Sequence, residues 1–230
     1  KVGAKSAPTI WTRQVQITCL FDMSTYICLI VITKIILEGV NMSDLEKEIK
    51  ILLDEKQYLE VMNYFDFEEP VEQTNYYYAN DAIVSNNITI RIREKLGKLK
   101  LQFKVPQKIE GSLHVKEEYE QNVDEVSDYI SKDEIYGTCG FFCKDDAKLL
   151  GNLKTIRRIC NKYQYVEIAL DKNSYFDVVD YEIEIEYIGE FPQHILDELE
   201  KINIYSGKEV SGKNKRFLNE YKKVVANIKR

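Results

Sequence analysis

The chain has 230 residues, with 38 acidic and 32 basic side chains that give it a net charge of −6. Hydrophobic residues make up 44% of it, which supplies a sizeable core and excludes the disordered and collagen-like classes. The acidic balance argues against a protein that coats nucleic acid by bulk attraction. Only two histidines occur, His114 and His194, so a metal site built from several histidines is excluded.

Residues 1–41 differ in composition from the rest, and we expect them to be upstream or expression-derived sequence outside the fold. The apolar run at residues 26–33 is shorter than the ~18 to 20 residues that a membrane span requires. A membrane anchor is the less favoured alternative. The predicted domain therefore covers residues 42–230.

From residue 45 onward the sequence alternates between polar and apolar side chains with the period of a β-strand. At least seven strands with one charged face are predicted. They cover residues 45–52, 88–95, 98–105, 114–121, 153–159, 165–171 and 180–187. Predicted helices follow at residues 53–64, 125–136, 144–150, 193–201 and 216–228.

The charged faces of these strands separate by sign. Glu182, Glu184 and Glu186 make one face purely acidic, whereas Arg91 and Arg93 make another purely basic. A solvated antiparallel sheet explains any single strand of this kind. The segregation favours a closed barrel, in which the charged faces share one lumen and the helices cover the apolar outside.

A lumen with both signs of charge predicts a particular kind of ligand. Opposed carboxylates need a divalent cation between them, and oxygen ligands select Mg²⁺, Mn²⁺ or Ca²⁺. Arginine and lysine in the same space match phosphate oxygens. The residues therefore predict a phosphate-bearing polyanion that binds together with its metal.

Five cysteines occur without a CxxC pair, which favours a reducing, cytoplasmic location over a secreted disulfide framework. Cys139 and Cys143 could form half of a zinc site, but their apolar neighbours favour buried free thiols. Lys100 is either a rim lysine or a phosphate ligand. His114 is either a general acid–base group or a residue without a chemical role.

Several motifs occur in an order that resembles a known family. The first is the ExExK sequence Glu46-Lys47-Glu48-Ile49-Lys50. The others are Ile90–Arg93, Leu101–Pro106, Glu118–Glu120, Gly151–Arg157, Leu170–Asp171, Asp180–Glu186 and Ser211–Phe217. Over residues 42–218 this order is similar to that of the CYTH superfamily, the triphosphate tunnel metalloenzymes, and particularly of its small bacterial members.

The resemblance implies an α+β fold built on an eight-stranded antiparallel closed β-barrel, a tunnel with helices packed on its outside. The tunnel would bind a triphosphate end-on with Mg²⁺ or Mn²⁺. The implied metal ligands are Glu46, Glu48, Glu182, Glu184 and Glu186, and which two of the last three ligate is left open. The implied phosphate ligands are Lys50, Arg91, Arg93, Lys104, Arg157, Lys213 and Arg216. The implied catalytic residues are Glu118, Glu120, Lys50 and Arg157, with the two glutamates holding a second metal that orients water.

The resemblance further implies a divalent-metal-dependent triphosphatase that releases phosphate from tripolyphosphate or a related triphosphate through metal-activated water. Two alternatives use the same site. One is a class IV adenylate cyclase that converts ATP to cyclic AMP, and the other is a module that binds polyphosphorylated metabolites without turnover. The expected partner is a small-molecule triphosphate, with no stable nucleic-acid partner, no membrane, and a monomer or homodimer as the assembly.

Overall fold

A computed structural model describes residues 12–19, 46–107, 113–207 and 210–228, and it describes side chains within residues 47–106, 117–207 and 210–228. The strands are β1 (Thr12–Cys19), β2 (Glu46–Leu53), β3 (Val71–Ala79), β4 (Thr89–Lys95), β5 (Lys98–Gln107), β6 (Leu113–Val123), β7 (Tyr129–Ile130), β8 (Ala147–Tyr163), β9 (Val166–Tyr175) and β10 (Val178–Tyr187). The helices are α1 (Glu55–Tyr64), α2 (Asp81–Ser85), α3 (Lys132–Cys139), α4 (Gln193–Lys201) and α5 (Lys213–Ile228).

The strands form one sheet in the order β3-β4-β5-β6-β1-β2-β10-β9-β8-β7, and β3 pairs with β8 as well. Neighbouring strands run antiparallel, except that β1 and β2 run parallel. This confirms the predicted α+β class with a largely antiparallel sheet. The predicted division of the chain at residue 41 stays a prediction, although the backbone of residues 12–19 is paired with β6.

Hydrogen bonds between the described residues do not close the eight-stranded barrel that the sequence predicts. Closing eight strands would require β2 and β6 to pair, but they are not neighbours in the sheet. β1 lies between them. It pairs with β6 along its whole length but with β2 at only two residue pairs, Gln16 with Glu46 and Ile17 with Lys47.

The apolar faces of the strands are covered by helices, as predicted. One cluster packs α1 and α4 against β2, β9 and β10, with Val61, Ile183 and Leu199 at its centre. A second cluster packs α2 and α3 against β3, β4 and β5, with Ile83 and Phe103 buried in it. Because successive side chains alternate across a strand, the charged residues between these apolar positions lie on the opposite face, which we call the polar face.

The predicted helices are confirmed in three of five places. α1 begins at a capping box, in which Asp54 accepts from the Gln57 amide at 2.8 Å and its own amide donates to the Gln57 side chain at 3.0 Å. The segment 125–136 is helical only from Lys132, and the prediction for 144–150 is wrong, because β8 begins at Ala147. None of the described helices has the length and apolar character needed to cross a membrane.

α5 packs against the polar face through a small aromatic cluster. The Phe217 ring lies 4.8 Å from the Tyr77 ring and 5.0 Å from the Phe176 ring, measured between centroids. Gly151 has a φ of +143° at the bulge where the register between β3 and β8 shifts, and a Cβ there would lie 3.4 Å from Phe217. This contact brings the first turn of α5, with Lys213 and Arg216, over the polar face.

Candidate active site

Strand register brings the predicted charged residues together on the polar face. Glu184 of β10 lies opposite Lys50 of β2, and Glu186 lies opposite Glu48. On the other side of β10, Glu182 lies opposite Asp171 of β9. Directly opposed side chains have Cβ atoms about 4.5–5.5 Å apart, so two of these pairings bring carboxylates close together and the third pairs a carboxylate with a lysine.

Three carboxylates form an acidic group that could hold a metal ion. Glu48, Glu184 and Glu186 each offer an oxygen, and these oxygens lie within 4.8 Å of one another. Burial, followed by the neighbouring charges of Glu48 and Glu184, raises the pKa of Glu186 to about 7. The Lys50 ammonium lies 2.6 Å from Glu48 and 3.1 Å from Glu184, so it compensates only part of the charge.

A second acidic group, Asp171, Glu182 and Glu184, is neutralised by the chain itself. The Lys213 ammonium lies 2.8 Å from Asp171 and 2.8 Å from Glu184, and it also contacts Glu182. Arg157 donates to both oxygens of Asp171, at 2.8 and 2.6 Å, and also contacts Glu184. The structure therefore places Arg157 and Lys213, two predicted phosphate ligands, in ion pairs with carboxylates.

Arg216 lies in the same network. Its Nε lies 2.9 Å from Asp180 and its Nη2 lies 3.0 Å from Glu182. Glu182 has no exposed surface, accepts a hydrogen bond from Asn173 at 3.1 Å and forms ion pairs with Lys213 and Arg216. Of the three glutamates of β10, Glu184 and Glu186 are the two whose carboxylates lie beside Glu48.

The basic group on β4 and β5 has a different set of partners. Arg91 is 8% exposed, and its Nε donates to the Gln102 side chain at 2.9 Å. The Arg93 Nε donates to the Asn75 side chain at 2.9 Å. Among the described residues, no carboxylate oxygen lies within 4 Å of either guanidinium, so buried Arg91 and half-buried Arg93 have neutral partners only.

The pKa values of this group reflect excess positive charge. Burial, together with the charges of Arg91 and Arg157, lowers the pKa of Arg93 to about 9. Burial and the charge of Arg91 also lower the pKa of Lys104 to about 8, although Glu118 accepts a hydrogen bond from Lys104 at 2.6 Å. The influence of Arg157 on Arg93 places the basic group next to the ion pairs of Arg157, so the acidic and basic groups are contiguous.

Glu118 and Glu120, predicted to hold a second metal, are both paired with lysines. Glu118 lies 2.6 Å from Lys104, and Glu120 lies 2.6 Å from Lys100. Although burial opposes it, hydrogen bonds from Lys100 and Gln102 lower the pKa of Glu120. Lys100 thus binds a carboxylate on the polar face, and the second metal stays a prediction.

The side chains of two residues considered from sequence, Glu46 and His114, lie outside the described residues. Three polar-face residues of the described strands had no predicted role: Asp171, Asn75 and Tyr77. The alternation of side chains along Val71–Ala79 could have placed Asn75 and Tyr77 on the polar face. The run of tyrosines in this strand is, however, equally typical of a buried core strand.

A comparison with protein families matches the CYTH domain over residues 44–217, about three quarters of the chain. The chain belongs to the CYTH family. CYTH proteins are typically enzymes, triphosphatases or cyclases. Comparison with curated proteins finds no match.

Two solved structures share the fold. A candidate adenylate cyclase from Bacillus halodurans aligns with a TM-score of 0.53 and 22% identity, over 74% of this chain and 95% of its own. A candidate adenylyl cyclase from Hippeastrum, described as having a dominant triphosphatase activity, aligns with a TM-score of 0.57 and 22% identity, over 75% of this chain and 95% of its own. At this identity the likeness establishes the fold of the CYTH domain.

Proposed function

We propose that this CYTH protein is a divalent-metal-dependent hydrolase of triphosphates. One observation carries the proposal: the polar face holds an acidic group in which Glu186 pairs with no cation among the described residues, next to the guanidinium groups of Arg91 and Arg93, which pair with no carboxylate there. A ligand that brings a divalent cation and several phosphate oxygens would satisfy both groups, because buried charges are stable only when paired or coordinated.

The residues fit a small divalent cation of the kind on which CYTH proteins depend. Glu48, Glu184 and Glu186 offer only oxygen ligands, as Mg²⁺ and Mn²⁺ prefer. Because burial, followed by the charges of Glu48 and Glu184, raises the pKa of Glu186 to about 7, a cation in this group would relieve a repulsion that already exists. When bound, the cation would neutralise phosphate charge and activate a water molecule.

The chain's own cations would bind and orient the phosphate chain. Arg91 and Arg93 have guanidinium nitrogens beyond Nε available for phosphate oxygens, and guanidinium groups bind such oxygens in a bidentate manner. Lys50 holds Glu48 and Glu184 in place. The water oxygen forms a bond to the terminal phosphorus while the bridging P–O bond breaks, so that tripolyphosphate gives phosphate and pyrophosphate.

We also propose that the sheet encloses this site as a tunnel. The pairing of β3 with both β4 and β8 supports the idea, since it joins the two ends of the strand order around the polar face. The least complete part of the sheet is at β1, which lies between β6 and β2 and pairs with β2 at only two residue pairs. An enclosed site would exclude water from the charges and strengthen their interaction with phosphate.

Phosphate release tests the proposed hydrolase. Purified protein with Mg²⁺ or Mn²⁺ should release phosphate from tripolyphosphate, and ATP and thiamine triphosphate would be assayed beside it. Excess chelator should abolish phosphate release because it removes the cation. The substitution Glu48→Gln should abolish it as well, because it removes a carboxylate that binds the cation. Glu60→Gln, on the exposed face of α1, is the matched control and should retain full activity. Activity that persists in chelator would refute the metal-dependent reaction.

A cyclase is the second candidate, and a cavity next to the acidic group favours it. The cavity has a volume of about 310 Å³, and its lining includes Tyr163, Tyr165, Glu167 and Glu186. It is large enough for a planar base, and tyrosine rings suit stacking. ATP bound in this way would be converted to cyclic AMP and pyrophosphate by attack of its ribose 3′-hydroxyl on the α-phosphorus. Cyclic AMP formation without tripolyphosphate cleavage would favour this candidate over the hydrolase.

A further inference from the structure

Asn75 occupies a central position on the polar face. It lies in β3 with no exposed surface, opposite Arg93 of β4 on one side and Leu153 of β8 on the other. Its position was not among the charged residues that the sequence singled out, because it is neutral. A buried amide side chain nevertheless needs partners for one carbonyl oxygen and for two N–H groups.

Of these three groups, only the carbonyl oxygen has a partner within the described residues. The Asn75 Oδ1 accepts from the Arg93 Nε at 2.9 Å, and this bond fixes the orientation of the amide, because a guanidinium can only donate. The Asn75 Nδ2 has no hydrogen-bond partner. A buried donor left in this state is costly, so its occurrence in a well-packed strand points to a partner outside the chain.

The surroundings of this nitrogen are rich in donors and poor in acceptors. Arg91 and Arg93 are adjacent, and the carbonyl oxygen of Gln102 already accepts from Arg91. The Tyr77 hydroxyl, two residues further along the same face, is also buried and has no hydrogen-bond partner among the described residues. A partner that satisfies these groups together must present several acceptor oxygens and negative charge, as a phosphoryl group does.

We propose that Asn75 is a substrate-binding residue whose Nδ2 donates to a phosphoryl oxygen of the triphosphate, beside the guanidinium of Arg93. The proposal deepens the proposed function and rests on it. Asn75 has two tasks in this arrangement. Its Oδ1 holds the Arg93 Nε so that the other guanidinium nitrogens face the ligand, and its neutrality leaves the positive charge of Arg93 uncompensated for the anion.

Substitution by aspartate tests the proposal directly. Asn75→Asp keeps the size of the side chain and the acceptor for Arg93, but it replaces both N–H donors with an anionic oxygen. We expect the affinity for inorganic tripolyphosphate, measured by calorimetry in excess EDTA so that no hydrolysis occurs, to fall at least about 10- to 100-fold, the effect of losing a hydrogen bond to a charged group. The melting temperature without ligand should be unchanged or higher, because the new carboxylate pairs with Arg93.

The control is Asn152→Asp, which makes the same charge change at an exposed position of β8 and should bind like the wild type. Asn75→Ala should also lose affinity for tripolyphosphate, and it serves as the test variant if Asn75→Asp does not fold. Wild-type protein that binds no tripolyphosphate in EDTA would overturn this inference, and the absence of phosphate release with Mg²⁺ or Mn²⁺ as well would contradict the proposed function with it. Wild-type protein that binds, with either folded Asn75 variant binding equally well, would overturn the role of Asn75 alone.

Discussion

Individual side chains of the polar face are held in two contrasting ways. Asp171 has no exposed surface and contacts Arg157 and Lys213, so its charge is compensated inside the chain. Arg91 is similarly buried but has an amide as its partner. We expect the first arrangement to stabilise the fold and the second to bind a ligand, because uncompensated buried charge lowers stability until a ligand arrives.

Two arginine substitutions should separate these roles. Arg157→Met leaves Asp171 and Glu184 without their guanidinium and should lower the free energy of unfolding by about 3–5 kcal/mol. Arg91→Met removes a cation that has no carboxylate partner, so it should leave stability unchanged or raise it while abolishing tripolyphosphate binding. Urea denaturation and calorimetry measure the two effects. Equal destabilisation by both variants would contradict the distinction.

The raised pKa of Glu186 predicts a pH dependence of stability in the absence of metal. The folded protein holds this proton more tightly than the unfolded chain does, with a pKa of about 7 against the ordinary 4.5. The contribution to stability is therefore complete below about pH 4.5 and is lost as the pH rises through about 7. Melting temperatures recorded in EDTA should therefore fall as the pH rises through this range. In the variant Glu186→Gln the fall should be smaller.

A divalent cation should reverse that loss. Because the deprotonated carboxylates bind the cation and repel one another without it, Mn²⁺ should raise the melting temperature more at pH 8 than at pH 5. Equal stabilisation at both pH values would contradict the assignment of Glu48, Glu184 and Glu186 as its ligands.

At the level of elements, alternation of polar and apolar residues predicted the long strands well. The helix predicted at residues 144–150 is wrong. There, pairing of Lys148 and Leu149 with β3 and of Lys148 with β7 overrides the local preference for a helix. Helix α5 begins at Lys213 rather than at residue 216, which brings Lys213 into the carboxylate network. Neither outcome could be predicted from the sequence, since both depend on tertiary contacts.

Gly151 should be essential for the packing of α5 against the polar face. Its φ of +143° is strongly unfavourable for any residue with a Cβ. Gly151→Ala should therefore lower the free energy of unfolding by about 1–3 kcal/mol, as measured by urea denaturation. Gly137→Ala in helix α3, where an added Cβ meets nothing within 4 Å, is the matched control and should stabilise the protein slightly. Similar losses in both variants would contradict the argument.

For the molecule as a whole, sequence reasoning predicted one polar face that carries charges of both signs, and most of the predicted ligands lie on it. It did not predict how those charges divide. Lys213 and Arg216 pair with carboxylates, whereas Arg91 and Arg93 pair with amide side chains, and the predicted binding of phosphate by all four stays a prediction. This division depends on which side chains meet across strands and helix α5, and strand periodicity alone carries no such information.

Anomalous diffraction from crystals soaked with Mn²⁺ and tripolyphosphate would test the division of the polar face most directly. A manganese peak between the carboxylates of Glu48, Glu184 and Glu186, with phosphate density against Arg91 and Arg93, is the predicted result. Manganese bound between Asp171 and Glu182 with Lys213 displaced, or phosphate bound away from the polar face, would contradict the account.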